Sequence, residues 1–419
     1  MTRQARRGVA ALVALPLAIA IALPALGNER KARKAPTAQL AAADQSRPAF
    51  PAPPAGPSTD AVFAQTLSDL GERPLQQTLR SLDATLQLAP NFRLGHVVKG
   101  DLLMARSGKP VAFAALAATN PEAASLQEEA RARLQRHLAG PPKDHLPLPI
   151  LQLAPGQPHA VLVDTSAQRL YVFANDDGTP RYVTDFYVSV GKNGIDKLRE
   201  GDQKTPLGVY RVVEAKNRLP DLYGPGAFPI DYPNAWDRLH RRDGYGIWLH
   251  GTPSETYSRP PRATDGCVAL SNPDLLRLAR YVDVGRTPVV IAEGVAWAPP
   301  ERWQASRQDL LAALERWRAD WESLDTDRYL ANYAASFRTE SRDLAAFAAQ
   351  KRKVNAGKSW IKLSLSDVSV LGHSNGEDLA VVTFAQDYRS SNLSNRIVKR
   401  QYWSRAGGTW RIVFETSGA

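Results

Sequence analysis

Cys267 is the only cysteine in the chain. It follows Gly266 at the start of a short apolar run, and His250 closes another apolar run upstream. A thiolate is the nucleophilic form of cysteine, and a nearby imidazole lowers the thiol pKa from about 8.5 into the range where thiolate is populated at neutral pH. Gly251 allows a sharp turn after the histidine. Gly266 lets a substrate carbonyl approach the Gly266 and Cys267 backbone N–H groups, where an oxyanion hole is expected. Residues of these types in this order point to acyl transfer. An arbitrary Cys and an arbitrary His are more often a small buried hydrophobe and a hydrogen-bonded core histidine. Against that reading stand two features: a lone thiol in an exported chain is a liability unless buried or used, and the surrounding pattern constrains more positions than the pair alone.

That pattern runs His250-Gly251-Thr252, a polar Pro/Ser/Tyr/Arg segment, then Thr264-Asp265-Gly266-Cys267 and Asn272. It resembles the catalytic segment of L,D-transpeptidases of the YkuD type, which carry a His-Gly turn, a variable loop, Ser/Thr-x-Gly-Cys and a following Asn. Thr205-Pro206-Leu207-Gly208-Val209-Tyr210 is similar to that family's Thr-Pro-x-Gly turn and strand. The resemblance covers residues 146–293. It implies Cys267 as nucleophile and His250 as general base and then acid, oriented by a backbone carbonyl placed at Gly251, with backbone N–H groups near Gly266 and Cys267 on the oxyanion. Thr264, Asp265 and Trp248 are the expected substrate contacts, peptidoglycan stem peptides the expected substrate, and no cofactor is expected. Two positions depart from the family: Asp265 stands where His is common, and Ala269 replaces the Arg common two residues after the cysteine. The cysteine and histidine roles carry over; the finer specificity does not.

At 419 residues the chain is too long for one ordinary core, and 43% hydrophobic with 23% charged residues is a globular composition. The net charge is +11, but eight Lys and Arg against Glu29 and Asp44 put about half of the excess in the first fifty residues. The remainder is only mildly basic, which argues against nucleic acid as a partner. One cysteine forms no intramolecular disulfide, and the seven histidines lack metal-ligand spacing, so no metal is expected.

Arg3, Arg6 and Arg7 precede an uncharged stretch, so residues 1–27 read as a signal peptide or a membrane anchor that sends the rest to the periplasm or cell envelope. The membrane is expected to be touched only there. Residues 28–59 have the Ala/Pro/Gln/Ser composition of a disordered or extended linker. From 60 to 140 the spacing is helical: Leu75, Leu79, Leu82 and Leu86 share a face, Pro90-Asn91 breaks the run, and Leu94, Val98 and Leu102 define a second helix. This resembles a tetratricopeptide-like hairpin, either a spacer or a surface for an envelope protein partner.

Period-two runs dominate residues 146–293, predicting a mostly-β catalytic domain with strands at Ala160–Val163, Leu170–Phe173, Phe186–Val190, 208–213, 246–249 and 287–291. Asn175 to Gly178 reads as a turn, Asn272-Pro273 as a helix N-cap with proline at the first position, and 214–245 as a long loop over the sheet. Residues 301–417 carry helical spacing at Leu310, Leu314, Trp317 and Trp321, then four strands. This α+β pattern resembles the nuclear-transport-factor-like cone, which some L,D-carboxypeptidases of curved and helical bacteria join to a YkuD-type domain. His373 and Asp387 are assigned no chemistry. The fold class expected is therefore multidomain: helical, mostly-β catalytic, and cone-shaped α+β.

The function expected is a cysteine acyltransferase opening the bond between a diamino acid and D-alanine in stem tetrapeptides. An amine acceptor makes it an L,D-transpeptidase and water an L,D-carboxypeptidase. A second reading is a non-catalytic envelope scaffold that holds peptidoglycan, motivated by the missing arginine. A cysteine endopeptidase is a weaker third, since nothing papain-like surrounds Cys267.

Overall fold

The computed structural model describes residues 50–418 apart from 57, 71, 109–111 and 374–377. The expected leader at 1–27, and the linker up to residue 49, lie outside the described residues. Residues 50–56 follow an irregular path, with the Phe50 ring 5.0 Å from Phe228.

The helical region contains α1 (Thr59–Ser68), α2 (Leu75–Leu88), α3 (Arg93–Arg106), α4 (Ala112–Ala117) and α5 (Pro121–Ala139). Helix α2 buries Leu79, Leu82 and Leu86 on one face, as the spacing predicts, and α2 and α3 form a hairpin across Pro90-Asn91. Asn120 caps α5 by accepting the Glu122 and Ala123 N–H groups at 2.9 and 3.1 Å. The core of this region is Phe63, Leu82, Phe92 and Leu94, and it includes Tyr257 from the next region.

The chain then forms β1 (Leu146–Pro147), β2 (Ile150–Gln152), β3 (His159–Asp164), β4 (Arg169–Asp176), β5 (Thr179–Tyr187), β6 (Val190–Gly191), β7 (Gly208–Arg211), β8 (Ala227–Pro229), α6 (Ala235–Leu239), β9 (Trp248–His250), β10 (Arg262–Thr264), β11 (Val268–Ala269), α7 (Asn272–Leu278), β12 (Pro288–Ala292) and β13 (Trp297–Ala298). The main sheet has the order β5-β4-β3-β12-β7, beside a small sheet β11-β9-β8 and a pair β10-β6. Asp177 and Gly178, both at positive φ, make the two-residue hairpin between β4 and β5. Val161, Val163, Val289 and Ile291 face the core of this region. Ala160, Leu162 and Val290 face the C-terminal sheet, so β3 and β12 are buried on both sides.

The expected long loop at 214–245 is corrected. It holds its own elements, β8 pairing with β9 and α6 started by a capping box between Asn234 and Asp237.

The C-terminal region has α8 (Pro300–Glu322), α9 (Thr326–Leu330), β14 (Tyr333–Arg338), α10 (Leu344–Ala356), β15 (Ile361–Gly372), β16 (Leu379–Ser390), β17 (Leu393–Ala406) and β18 (Thr409–Ser417). Its sheet order is β14-β18-β17-β16-β15-β2. The last strand comes from the start of the segment expected to be catalytic. Leu148 and Leu151 bury into the core of Trp303, Leu310 and Trp317, which draws residues 146–152 into the C-terminal region. The curved sheet and helices enclose a cavity of about 520 Å³ lined by Trp321, Phe347, Lys351, Tyr388, Lys399 and Glu415. His373 lies outside it, 6.0 Å from the Trp236 ring at the contact with the catalytic region, and Asp387 pairs with Arg389 at 3.1 Å. Among the described residues no helix is long and apolar enough to cross a membrane.

Candidate active site

Strands β9 and β11 run parallel, with Leu249 opposite Val268 and His250 opposite Ala269. Leu249 and Val268 are fully buried in the domain core. Side-chain alternation therefore turns Trp248, His250 and Ala269 to the other face. Cys267 occupies the bend immediately before β11, one diagonal step from His250 on neighbouring strands.

The His250 Nδ1 lies 2.6 Å from the Gly251 carbonyl oxygen. A carbonyl only accepts, so Nδ1 carries the proton and Nε2 is left as the basic nitrogen. The Tyr223 ring meets the imidazole edge-on at 5.2 Å. Burial holds the imidazole pKa down to about 4, opposed by the Gly251 carbonyl and assisted by the Arg259 charge.

Cys267 is a half-buried residue whose thiol donates to the Gly246 carbonyl at 3.2 Å; among the described residues no hydrogen bond joins it to the imidazole. Burial pushes its pKa up to about 11. The Trp248 backbone opposes this, Asp265 adds to it, and Arg259 and Lys197 act downward. The expectation of an imidazole-lowered thiol is thus corrected: the pair rests as neutral thiol and neutral imidazole because desolvation outweighs the nearby charges.

The bend itself is built on glycine. Gly266 has φ +123°, and a Cβ there would lie 2.7 Å from the Lys204 carbonyl oxygen. Thr264 Oγ1 donates to the Cys267 carbonyl at 2.7 Å and accepts the Gly266 N–H at 3.1 Å. Thr205 Oγ1 donates to the Gly266 carbonyl at 3.0 Å and accepts the Gly191 N–H at 2.9 Å.

Two sequence expectations change as a result. The Gly266 N–H is spent on Thr264, so it is not an open oxyanion donor. The Cys267 N–H donates to no acceptor among the described residues and remains for that task. Thr264, 2% exposed, shapes the bend instead of meeting substrate. Asp265 is exposed and paired with Lys192 at 2.9 Å, while Trp248 is part-buried against the Tyr223 ring at 4.9 Å.

Ser271, not Asn272, caps α7, its hydroxyl accepting the Asp274 N–H. Asn272 is the first helical residue, and its amide oxygen accepts the Thr252 N–H at 2.8 Å. A Cβ on Gly251 would sit on that oxygen. Sequence reasoning quoted Asn272 and Thr205 as motif members but missed these contacts. It missed entirely that the helical region holds the loop between His250 and Cys267. Asn91 Nδ2 donates to the Ser254 carbonyl at 2.9 Å, and Ser258 Oγ donates to Glu129 Oε1 at 2.6 Å. No sequence signal links residues that far apart. Among the described residues no cluster of three or more His, Cys, Asp or Glu could hold a metal.

Comparison with known proteins places this geometry. Residues 158–291 match the L,D-transpeptidase catalytic domain (YkuD), and residues 309–416 match the Cds6 C-terminal NTF2-like domain. The putative L,D-transpeptidase YafK of Escherichia coli K12 is 33% identical over 87 residues, 20% of this chain. The chain spans only 31% of the length of that curated relative. The structure of Bd1075 from Bdellovibrio bacteriovorus is 30% identical, with 66% of this chain and 98% of that one covered and a TM-score of 0.59. The helical cell shape determining protein Pgp2 from Campylobacter jejuni is 28% identical, with 64% and 94% covered and a TM-score of 0.55. The chain belongs to the YkuD L,D-transpeptidase catalytic-domain family, in the form that carries a Cds6-type NTF2-like domain at its C-terminal end.

Proposed function

We propose that this chain is a cell-wall cysteine acyltransferase that opens the bond between the diamino acid and D-alanine of peptidoglycan stem tetrapeptides. The observation that carries the reading is the His250 imidazole held by the Gly251 carbonyl at 2.6 Å with its basic nitrogen free, one strand from the half-buried Cys267. As Sγ attacks the carbonyl carbon, its proton passes to His250 Nε2, and the oxyanion falls to the Cys267 N–H. Collapse breaks the peptide bond, and the imidazolium returns the proton to the departing D-alanine amine. The thioester on Cys267 is then resolved by water or an amine, with His250 again as base.

Purified protein incubated with disaccharide-tetrapeptide muropeptides tests this by mass. Loss of one D-alanine without dimers marks an L,D-carboxypeptidase, and cross-linked dimers mark an L,D-transpeptidase. The C-terminal NTF2-like region favours the first. A Cys267→Ala protein as active as the wild type would sink the mechanism.

The protein would work in the periplasm or cell envelope, and loss of its gene would alter cell shape as the name of Pgp2 suggests for that relative. The α2–α3 hairpin fits a tetratricopeptide-like surface for an envelope partner. The second reading, a wall-binding scaffold, is favoured by Ala269 in place of arginine and by a thiol that rests protonated. It predicts binding of muropeptides with no mass change.

A further inference from the structure

A histidine with no carboxylate partner has to be oriented by weaker means. Where an ionised carboxylate holds the Nδ1 proton, charge helps to fix the imidazole. In this chain the neutral Gly251 carbonyl takes that place at 2.6 Å. One hydrogen bond fixes the direction of Nδ1–H and leaves the ring able to pivot about it. The orientation of Nε2 then depends on what packs against the imidazole.

The turn Asp221–Tyr223, a single turn of 3-10 helix, supplies that packing. The Tyr223 ring lies 5.2 Å from the His250 imidazole at an interplanar angle of 81°, and 4.9 Å from the Trp248 ring at 45°. It therefore spans two side chains that strand alternation places on the same face of β9. A perpendicular ring at such a separation is in the favoured edge-to-face contact and stands in the way of a pivot. The Tyr223 backbone reaches the same place, since its carbonyl accepts the Gly251 N–H at 3.1 Å. The residue that holds Nδ1 is thus itself held by Tyr223.

The turn is firmly anchored. Asp221 accepts the Ser254 N–H at 3.1 Å and the Ser254 hydroxyl at 3.1 Å. The Ser254 carbonyl in turn accepts from Asn91 of the helical region at 2.9 Å. Gly224 ends the turn at φ +62°, and a Cβ there would lie 2.7 Å from the Thr252 carbonyl oxygen. Contacts on both sides of Tyr223 therefore fix where its ring stands. We propose that Tyr223 is a positioning residue for the reaction: its ring, set across Trp248 and His250, blocks the pivot of the imidazole and keeps Nε2 in the one orientation that a base for the Cys267 thiol needs. The catalytic consequence rests on the acyltransferase reading. Tyr223 acts through His250, and no proton or bond passes through its ring.

The test compares wild-type protein with Tyr223→Leu and Tyr223→Phe on a disaccharide-tetrapeptide. Tyr223→Leu keeps an apolar side chain without the ring. It should lower kcat by about ten- to a hundredfold and change KM by less than about twofold, because a misplaced base costs rate and not binding. Tyr223→Phe keeps both ring contacts and should restore most of kcat. Wild-type kcat in Tyr223→Leu overturns the assignment, as does a loss in Tyr223→Phe equal to that in Tyr223→Leu. A second readout needs no turnover: nitrogen NMR spectra of protein labelled at its histidine rings, with His250 assigned by its absence from His250→Gln. At a pH where His250 is neutral, wild type should show a protonated Nδ1 and a bare Nε2. In Tyr223→Leu the two shifts should move towards each other as the tautomers mix; unchanged shifts overturn the assignment. If no peptide is processed while the shifts converge, the acyltransferase reading is lost and the hold of Tyr223 on His250 stands.

Discussion

The Asn272 amide oxygen accepts the Thr252 N–H at 2.8 Å, tying the helix that follows the cysteine to the turn that follows the histidine. Gly224 and Gly251 leave space for that oxygen that no Cβ could share. Asn272→Ala leaves the Thr252 N–H unsatisfied in a buried residue and should cost about 1–3 kcal/mol. D-Alanine release should fall further than the melting temperature implies, since the two halves of the site would lose their register. Asn272→Asp keeps an acceptor and should recover part of both.

Gly266→Ala should act more severely. The backbone there is in a left-handed conformation at φ +123°, and the new Cβ would meet the Lys204 carbonyl oxygen at 2.7 Å. Strain of about 1–3 kcal/mol would be relieved by shifting the bend that presents Cys267. Denaturant unfolding together with muropeptide turnover measures it. A variant with wild-type turnover would show that the bend does not set the position of the thiol.

The pH dependence distinguishes the neutral pair from a thiolate-imidazolium pair. With His250 held to about 4 and Cys267 raised to about 11, alkylation of Cys267 by iodoacetamide should climb steadily from about pH 7 to about pH 10. Turnover, which needs neutral imidazole, should persist below the ordinary histidine range. Alkylation already at its plateau near neutrality would mean that the free enzyme holds a thiolate. Stability follows the same sign. The folded imidazole binds its proton less readily than the unfolded one, whose pKa is near 6.5. The penalty for neutrality is therefore absent above that value and grows as pH falls towards 4.

The local parts of this molecule were legible in the sequence. Leu79, Leu82 and Leu86 marked α2, and the turn read over Asn175 to Gly178 is present at Asp177-Gly178, with Asn175 and Asp176 belonging to β4. His250 and Cys267 stood out because their neighbours are short-range motif residues. What could not be read depended on distant chain. Strand β2 pairs with β15, more than two hundred residues away, and the Glu129 contact with Ser258 joins two regions. The direction of the thiol shift is set by burial, which no local pattern encodes. The α6 capping box between Asn234 and Asp237 was present as a signal, but the Gly and Pro density around it reads as loop. At Ser271-Asn272 two good caps are adjacent, and only the Thr252 N–H decides that Asn272 is used elsewhere.

The helical region meets the catalytic sheet through buried charges. Asp60 at the start of α1 is bonded to Arg133 of α5 and to Arg169 of β4, the latter at 3.0 Å. Arg169 and Arg136 both reach Asp185, and Arg133 pairs with Glu129 at 2.9 Å. Burial raises the Asp60 carboxyl, but the Arg133 and Arg169 guanidiniums overcome it and hold its pKa at about 2. Because the folded value lies below the unfolded one near 3.8, Asp60 contributes about 2 kcal/mol that is present above the unfolded value and lost as pH falls towards 2. Glu129 is shifted the other way, since burial there outweighs Arg133, and it offsets part of that gain as pH rises above 4.5. Arg133→Met strands the Glu129 carboxylate, leaves Asp60 with Arg169 alone, and should cost about 3–5 kcal/mol in urea unfolding near neutral pH. Since Glu129 also holds Ser258, muropeptide turnover should fall with it. A double-mutant cycle of Asp60→Ala with Arg133→Ala should show coupling well above about 0.5 kcal/mol. Simple additivity would mean that the apolar contacts around Phe92 and Tyr257, and not the charges, join the helices to the loop.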